Sequence, residues 1–125
     1  MSLLLKNTKK WGYKGRMYIS ITGLRLKNRF MFIPFAWHVM RSFKQAKKAE
    51  GNLHCALNNV NGVHHTLTAW ESKKHMQQYI YSGAHKKAIV GFRRIATGKT
   101  LGYEGDELPS WEEAHKIWQK NGRDY

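Results

Sequence analysis

Asn61-Gly62 constrains this chain more than any other pair of residues, because both central positions of a two-residue type I′ turn need positive φ and this dipeptide supplies them most readily. Runs rich in β-formers flank it, Leu53 to Val60 and Val63 to Glu71, so the two should pair as an antiparallel hairpin. With Val60 facing Val63, counting back puts Leu53, Cys55 and Leu57 on one sheet face with Thr66, Thr68 and Trp70. The other face then holds His54, Ala56, His65 and Leu67. A lone hairpin has little stability in water, so the flanking segments must supply its cover.

Upstream, Met17 to Leu24 alternates Met17, Ile19 and Ile21 against Tyr18, Ser20 and Thr22, which predicts a first strand. Beyond the basic loop Arg25 to Arg29 and Pro34, the positions Ala36, Val39, Met40, Phe43 and Ala46 make the stripe of a helix that ends before Gly51. Downstream of the hairpin, Ser72 fits a helix N-cap, and Met76, Tyr79 and Ile80 follow at helical spacing. Ser82-Gly83 breaks the run, and a second one aligns His85, Ala88, Ile89, Phe92 and Ile95. Lys99 to Glu107 reads as a fourth strand, and Ser110 with Glu113 has capping-box spacing before a last helix with Trp111, Ala114 and Trp118 on its apolar stripe.

The order strand, helix, strand, strand, helix, strand is the ferredoxin-like split βαβ arrangement, α+β in class, with an added C-terminal helix. Residues 1–15 read as a basic arm, with Trp11 and Tyr13 folded back onto the body, and 16–125 as a single domain. A four-stranded sheet with helices on one side leaves its other face bare, so a partner sheet from a second copy is expected.

The pattern W-E-S, then M-x-x-Y, then S-G-A-H, from Trp70 to His85, resembles the strand-to-helix junction of the monooxygenase-like dimeric α+β barrels. Two further pieces, FIPFAWHVMRSFKQAKKAEG and ELPSWEEAHKIW, are similar to a branch described through antibiotic-biosynthesis and spheroidene monooxygenases. The resemblance implies a ferredoxin-like subunit, a homodimer paired sheet to sheet, and a cavity between sheet and helices for a small apolar or aromatic ligand. Trp70, Tyr79, His85, Ile89 and Phe92 are the expected ligand-binding residues, and His85, a titratable group on an apolar stripe, is the candidate acid, base or haem ligand. The haem-degrading branch uses a first-strand asparagine with a tryptophan and a histidine on the broken helix. Here those two helix positions are Tyr79 and Ile89, and Met17 to Leu24 has no asparagine. That scheme is therefore doubtful, while haem binding through another ligand stays open; no cofactor is required by the sequence.

The formal net charge is +14, and it is unevenly placed: residues 1 to 50 hold 12 Lys/Arg against the single acid Glu50. Such a half attracts polyanions or acidic lipid headgroups through a field that salt screens. A non-enzymatic protein binding a polyanion or acidic surface is thus the alternative function, although no nucleic-acid module is recognisable. One cysteine, Cys55, precludes an internal disulfide and points to a reducing cytoplasm. No apolar run approaches the ~20 residues of a membrane span.

Metal chemistry finds little support. His64 and His65 are adjacent on a strand and point to opposite faces, and no helix carries an H-x-x-x-H pair, so no protein-held metal is expected. The pair reads as a partly exposed strand surface. Gly98-Lys99-Thr100 imitates the end of a P-loop, but Arg93 stands where that motif needs its first glycine.

Overall fold

The computed structural model describes residues 5–8 and 15–124, without the side chains of residues 5–8, 84–86 and 88. Its elements run β1 (Leu5–Thr8), β2 (Met17–Leu26), a 3-10 turn (Arg29–Met31), α1 (Phe32–Lys48), β3 (Asn52–Val60), β4 (Val63–Trp70), α2 (Lys73–Ile80), α3 (Gly83–Ile95), β5 (Ala96–Gly105), α4 (Trp111–Asn121) and β6 (Arg123–Asp124). They form one antiparallel sheet in the order β1-β3-β4-β2-β5-β6, whose four central strands have ferredoxin-like topology. Part of the segment read as an arm is thus strand, since Leu5–Thr8 extends the sheet along β3. The expected placement of Trp11 and Tyr13 lies outside the described residues.

The hairpin closes as its turn residues dictate: Val60 faces Val63, and φ is +52° at Asn61 and +81° at Gly62. Cys55 pairs with Thr68 and Leu57 with Thr66, as counted from the turn. Leu53 departs from the count because the register shifts between Asn52 and His54, and this bulge turns it to the opposite face.

That opposite face is not bare. α4 packs on it, and Ala114 and Trp118 bury Met17, Ile19, Ile21, Leu53, Leu67 and Ala69 within a single chain. The need for a partner sheet, inferred from an uncovered face, is met by the added helix. On the first face, α1 and α2 lie over Cys55, Leu57 and Trp70 through Phe43, Ala46, Met76 and Tyr79, and Phe35 of α1 and Phe92 of α3 pack with Leu24. The strands consequently have cover on both sides, although their alternation alone suggests one wet face. Among the described residues no helix is long and apolar enough to cross a membrane.

Candidate functional site

The cover over the first face is incomplete. A cavity of about 330 Å³ lies between the sheet and α1–α3. Its roof is apolar: Phe35, Val39 and Phe43 of α1, Met76 and Ile80 of α2, and Ile89 and Phe92 of α3. Its floor carries hydroxyls from three adjacent strands, Ser20 and Thr22 of β2, Thr66 and Thr68 of β4, and Thr100 of β5. Register explains the cluster, since Ser20 pairs with Thr68 while Thr22 pairs with both Thr66 and Thr100. The Thr22 and Thr100 hydroxyls lie 3.0 Å apart and share a hydrogen bond. Alternation places these polar side chains opposite Ile19 and Ile21, and the helices make that polar face an interior.

Two contacts hold the roof in place. The Tyr79 hydroxyl donates to the Ser42 carbonyl over 2.9 Å, tying α2 to α1. Gln45 of α1 spans the α2–α3 break, its side-chain amide donating to the Ser82 carbonyl at 2.9 Å and the Tyr79 carbonyl at 3.3 Å. Ser42 also lines the cavity, and its Oγ is buried with no hydrogen-bond partner among the described residues. An unpaired hydroxyl in such a place is costly and available to a ligand.

Asn58, Asn59 and His64 line it near the hairpin turn, and the charged residues Arg93 of α3 and Asp124 of β6 also border it. The His64 ring stands edge-on to Phe35 with centroids 4.6 Å apart, and its Nδ1 lies 3.4 Å from the Asn59 amide nitrogen. Burial lowers its pKa, which favours the neutral imidazole.

No protein-family model and no curated protein matches this sequence. Solved structures do match in fold. SnoaB, a cofactor-independent oxygenase from Streptomyces nogalater, superimposes with a TM-score of 0.64 at 9% identity, over 77% of this chain and 100% of that one. A proposed antibiotic-biosynthesis monooxygenase from Nitrosomonas europaea gives 0.65 at 13% identity, over 77% and 94% of the two chains. A proposed monooxygenase from Fusobacterium nucleatum gives 0.71 at 14% identity; 96% of this chain covers 52% of that protein. The chain shares the ferredoxin-like α+β fold of these proteins.

Within that fold the residues singled out from sequence take different places. Tyr79, Ile89 and Phe92 line the cavity. Trp70 does not: it is fully buried, stacked on Tyr79 with centroids 5.0 Å apart, and its indole N–H donates to the Thr68 hydroxyl over 2.9 Å. It supports the lining from behind. The side chain of His85 lies outside the described residues. Reading the His64–His65 pair as partly exposed holds for His64 and fails for His65, which is 1% exposed beneath α4. His65 Nδ1 donates to the Thr22 carbonyl at 3.2 Å, and Nε2 is 2.8 Å from His115 Nδ1. With both nitrogens engaged, His65 has none free for iron, and His64 is the other described imidazole that lines the cavity. No group of three His, Cys, Asp or Glu suited to a metal ion occurs among the described residues.

Ser42, Gln45 and the hydroxyl floor went unremarked in the sequence. The floor did leave a signal, because Ser20 and Thr22 alternate along one predicted strand, as Thr66 and Thr68 do along another. Ser42 and Gln45 left none, since a polar residue beside a helical stripe ordinarily marks the boundary with solvent.

Proposed function

We propose that this chain binds a small apolar or aromatic molecule in the cavity between sheet and helices and acts on it oxidatively. The observation that carries the reading is the two-sided chemistry of the cavity: a largely apolar roof, a floor of hydroxyls, and the buried Ser42 Oγ with no partner among the described residues. A flat molecule with a hydroxyl or carbonyl edge suits it, rings against Phe35, Ile89 and Phe92 and the polar edge toward Ser42 or the floor. The fold shared with oxygenases supports the oxidative part. In such a reaction an electron-rich substrate reduces dioxygen, and the protein's share is to orient the substrate and exclude water. The homodimer and the cytoplasmic setting belong to the same proposal. With α4 over the sheet, two copies would meet on another surface, and sedimentation at twice 14.6 kDa is the check.

Ligand titration tests the central claim. Naphthols and hydroxyquinones added to the full chain should quench tryptophan fluorescence saturably, and those that bind should be assayed for oxygen uptake. Ser42→Ala should raise stability by about 1 kcal/mol, by removing an unpaired buried hydroxyl, while weakening binding severalfold. Lower stability with unchanged affinity would show that the hydroxyl serves the fold, and failure of every compound to bind would count against the cavity as the site.

A further inference from the structure

A second surface, on the outer side of the same helices, bears apolar side chains that the fold leaves in water. Phe30, Ile33 and Trp37 are 77%, 79% and 55% exposed. They follow one another at three- and four-residue spacing, so they stand in line along the 3-10 turn and the first half of α1. Val90 of α3, also exposed, adjoins Gly91, whose backbone abuts His38 of α1, and so widens the patch across both helices. Cations rim it. The Arg29 guanidinium lies 5.3 Å from the centre of the Phe30 ring and that of Arg41 lies 4.8 Å from Trp37. Farther along the same line, Lys44 and Lys48 are exposed.

The helices on this side carry charge of one sign, with the acids Glu50 and Glu71 in the loops that follow α1 and precede α2. Neither the segment Arg29–Lys48 nor α2 nor α3 contains an Asp or Glu, while Glu104, Asp106, Glu112, Glu113 and Asp124 lie on β5, α4, β6 and the loop before α4. A dissolved polyanion would satisfy the cations but leave Ile33 and Trp37 in water. A wholly apolar partner would do the reverse. An anionic bilayer does both at once: aromatic and aliphatic side chains enter the boundary of headgroups and acyl chains, and guanidinium and ammonium groups meet phosphates.

We propose that the α1–α3 layer docks on an anionic lipid surface, with Phe30, Ile33 and Trp37 inserted and Arg29, Arg41 and Lys44 against the headgroups. α1 then lies along the membrane plane. Exposed Phe32, whose ring is 6.4 Å from that of His64, brings the hairpin end of the cavity close to the lipid. The inference rests on the outer surface alone and stands or falls apart from the function proposed for the cavity.

Co-sedimentation of the full chain with vesicles tests it. The protein should bind vesicles of phosphatidylcholine containing phosphatidylglycerol and stay in solution with phosphatidylcholine alone. The variants Ile33→Ser with Trp37→Ser, and Arg41→Gln with Lys44→Gln, should each weaken binding at least about tenfold. Both pairs are exposed, so melting temperatures should be unchanged, which separates lost docking from lost folding. Absence of binding to the anionic vesicles at low salt overturns the proposal. Binding that the Ile33→Ser, Trp37→Ser variant leaves intact overturns it too, in favour of a purely electrostatic polyanion surface. A wild-type dimer that this variant converts to monomer would instead assign the patch to a second copy of the chain.

Discussion

His65 donates through Nδ1 to the Thr22 carbonyl and accepts the His115 Nδ1–H at Nε2, so both ring nitrogens are engaged while the imidazole is neutral. A proton added at Nε2 would point at another donor in a site packed by Trp118, whose ring stands edge-on at 4.9 Å. Burial pushes the His65 pKa down to about 4, with the charges of His115 and Arg25 acting in the same direction and the bond to Thr22 opposing. The unfolded chain titrates this residue near 6.5, so between the two values the unfolded state binds more protons. Stability is therefore full above pH 6.5, falls as the pH drops toward 4, and then levels. For one buried histidine the change is about 3 kcal/mol. Burial lowers the pKa of His38, His64 and His115 as well, adding to the same trend. Urea midpoints at a series of pH values should show the decline, and His65→Asn, whose amide can still donate to Thr22, should flatten it. An unchanged profile in that variant would mean that other groups govern acid sensitivity.

At the scale of elements, α4 is the piece whose presence sequence announces and whose position it withholds. Ser110 accepts from the Glu113 backbone N–H and Glu113 bonds back to the Ser110 N–H, both at 3.1 Å, so the helix begins at the capping box read from spacing. Its apolar stripe, however, could lie on any exposed apolar surface. What settles the matter is fit: the Trp118 indole covers Gly23 and donates to the Lys99 carbonyl over 2.8 Å. A Cβ at Gly23 would overlap the Trp118 ring. Gly23→Ala should accordingly displace α4, lowering stability by about 1 to 3 kcal/mol and changing tryptophan emission. A neutral result would mean that Trp118 moves aside freely. The same contrast governs the rest of the fold. Strands and helices were legible because turn chemistry and periodicity are local, and the Asn61-Gly62 count gave the faces correctly until the bulge at Leu53. The hydroxyl floor was visible as alternation but took its meaning from helices packed above it, and the roof ties of Tyr79 and Gln45 depend on contacts 34 or more residues apart.

For the molecule as a whole, the two faces of one sheet do different work: the α4 face is closed by large apolar side chains, and the opposite face keeps a cavity and turns a cationic, aromatic surface outward. This division changes what a charge in the first strand should do. Ile19 has no exposed surface within a single chain, packed in the cluster that includes Leu67, Ala69 and Trp118. Ile19→Asp would bury a carboxylate with no cationic partner, costing several kcal/mol, a large part of the stability of an ordinary domain of this size. The expected outcome is an unfolded or molten chain whose loss of structure does not depend on protein concentration, followed by circular dichroism at several dilutions and by sedimentation. Were the face instead shielded mainly by a second copy, the variant would give a folded monomer of 14.6 kDa from a wild-type protein of twice that mass. That result would show that α4 can leave the sheet in solution, and it would return the partner copy to the role that the added helix fills here.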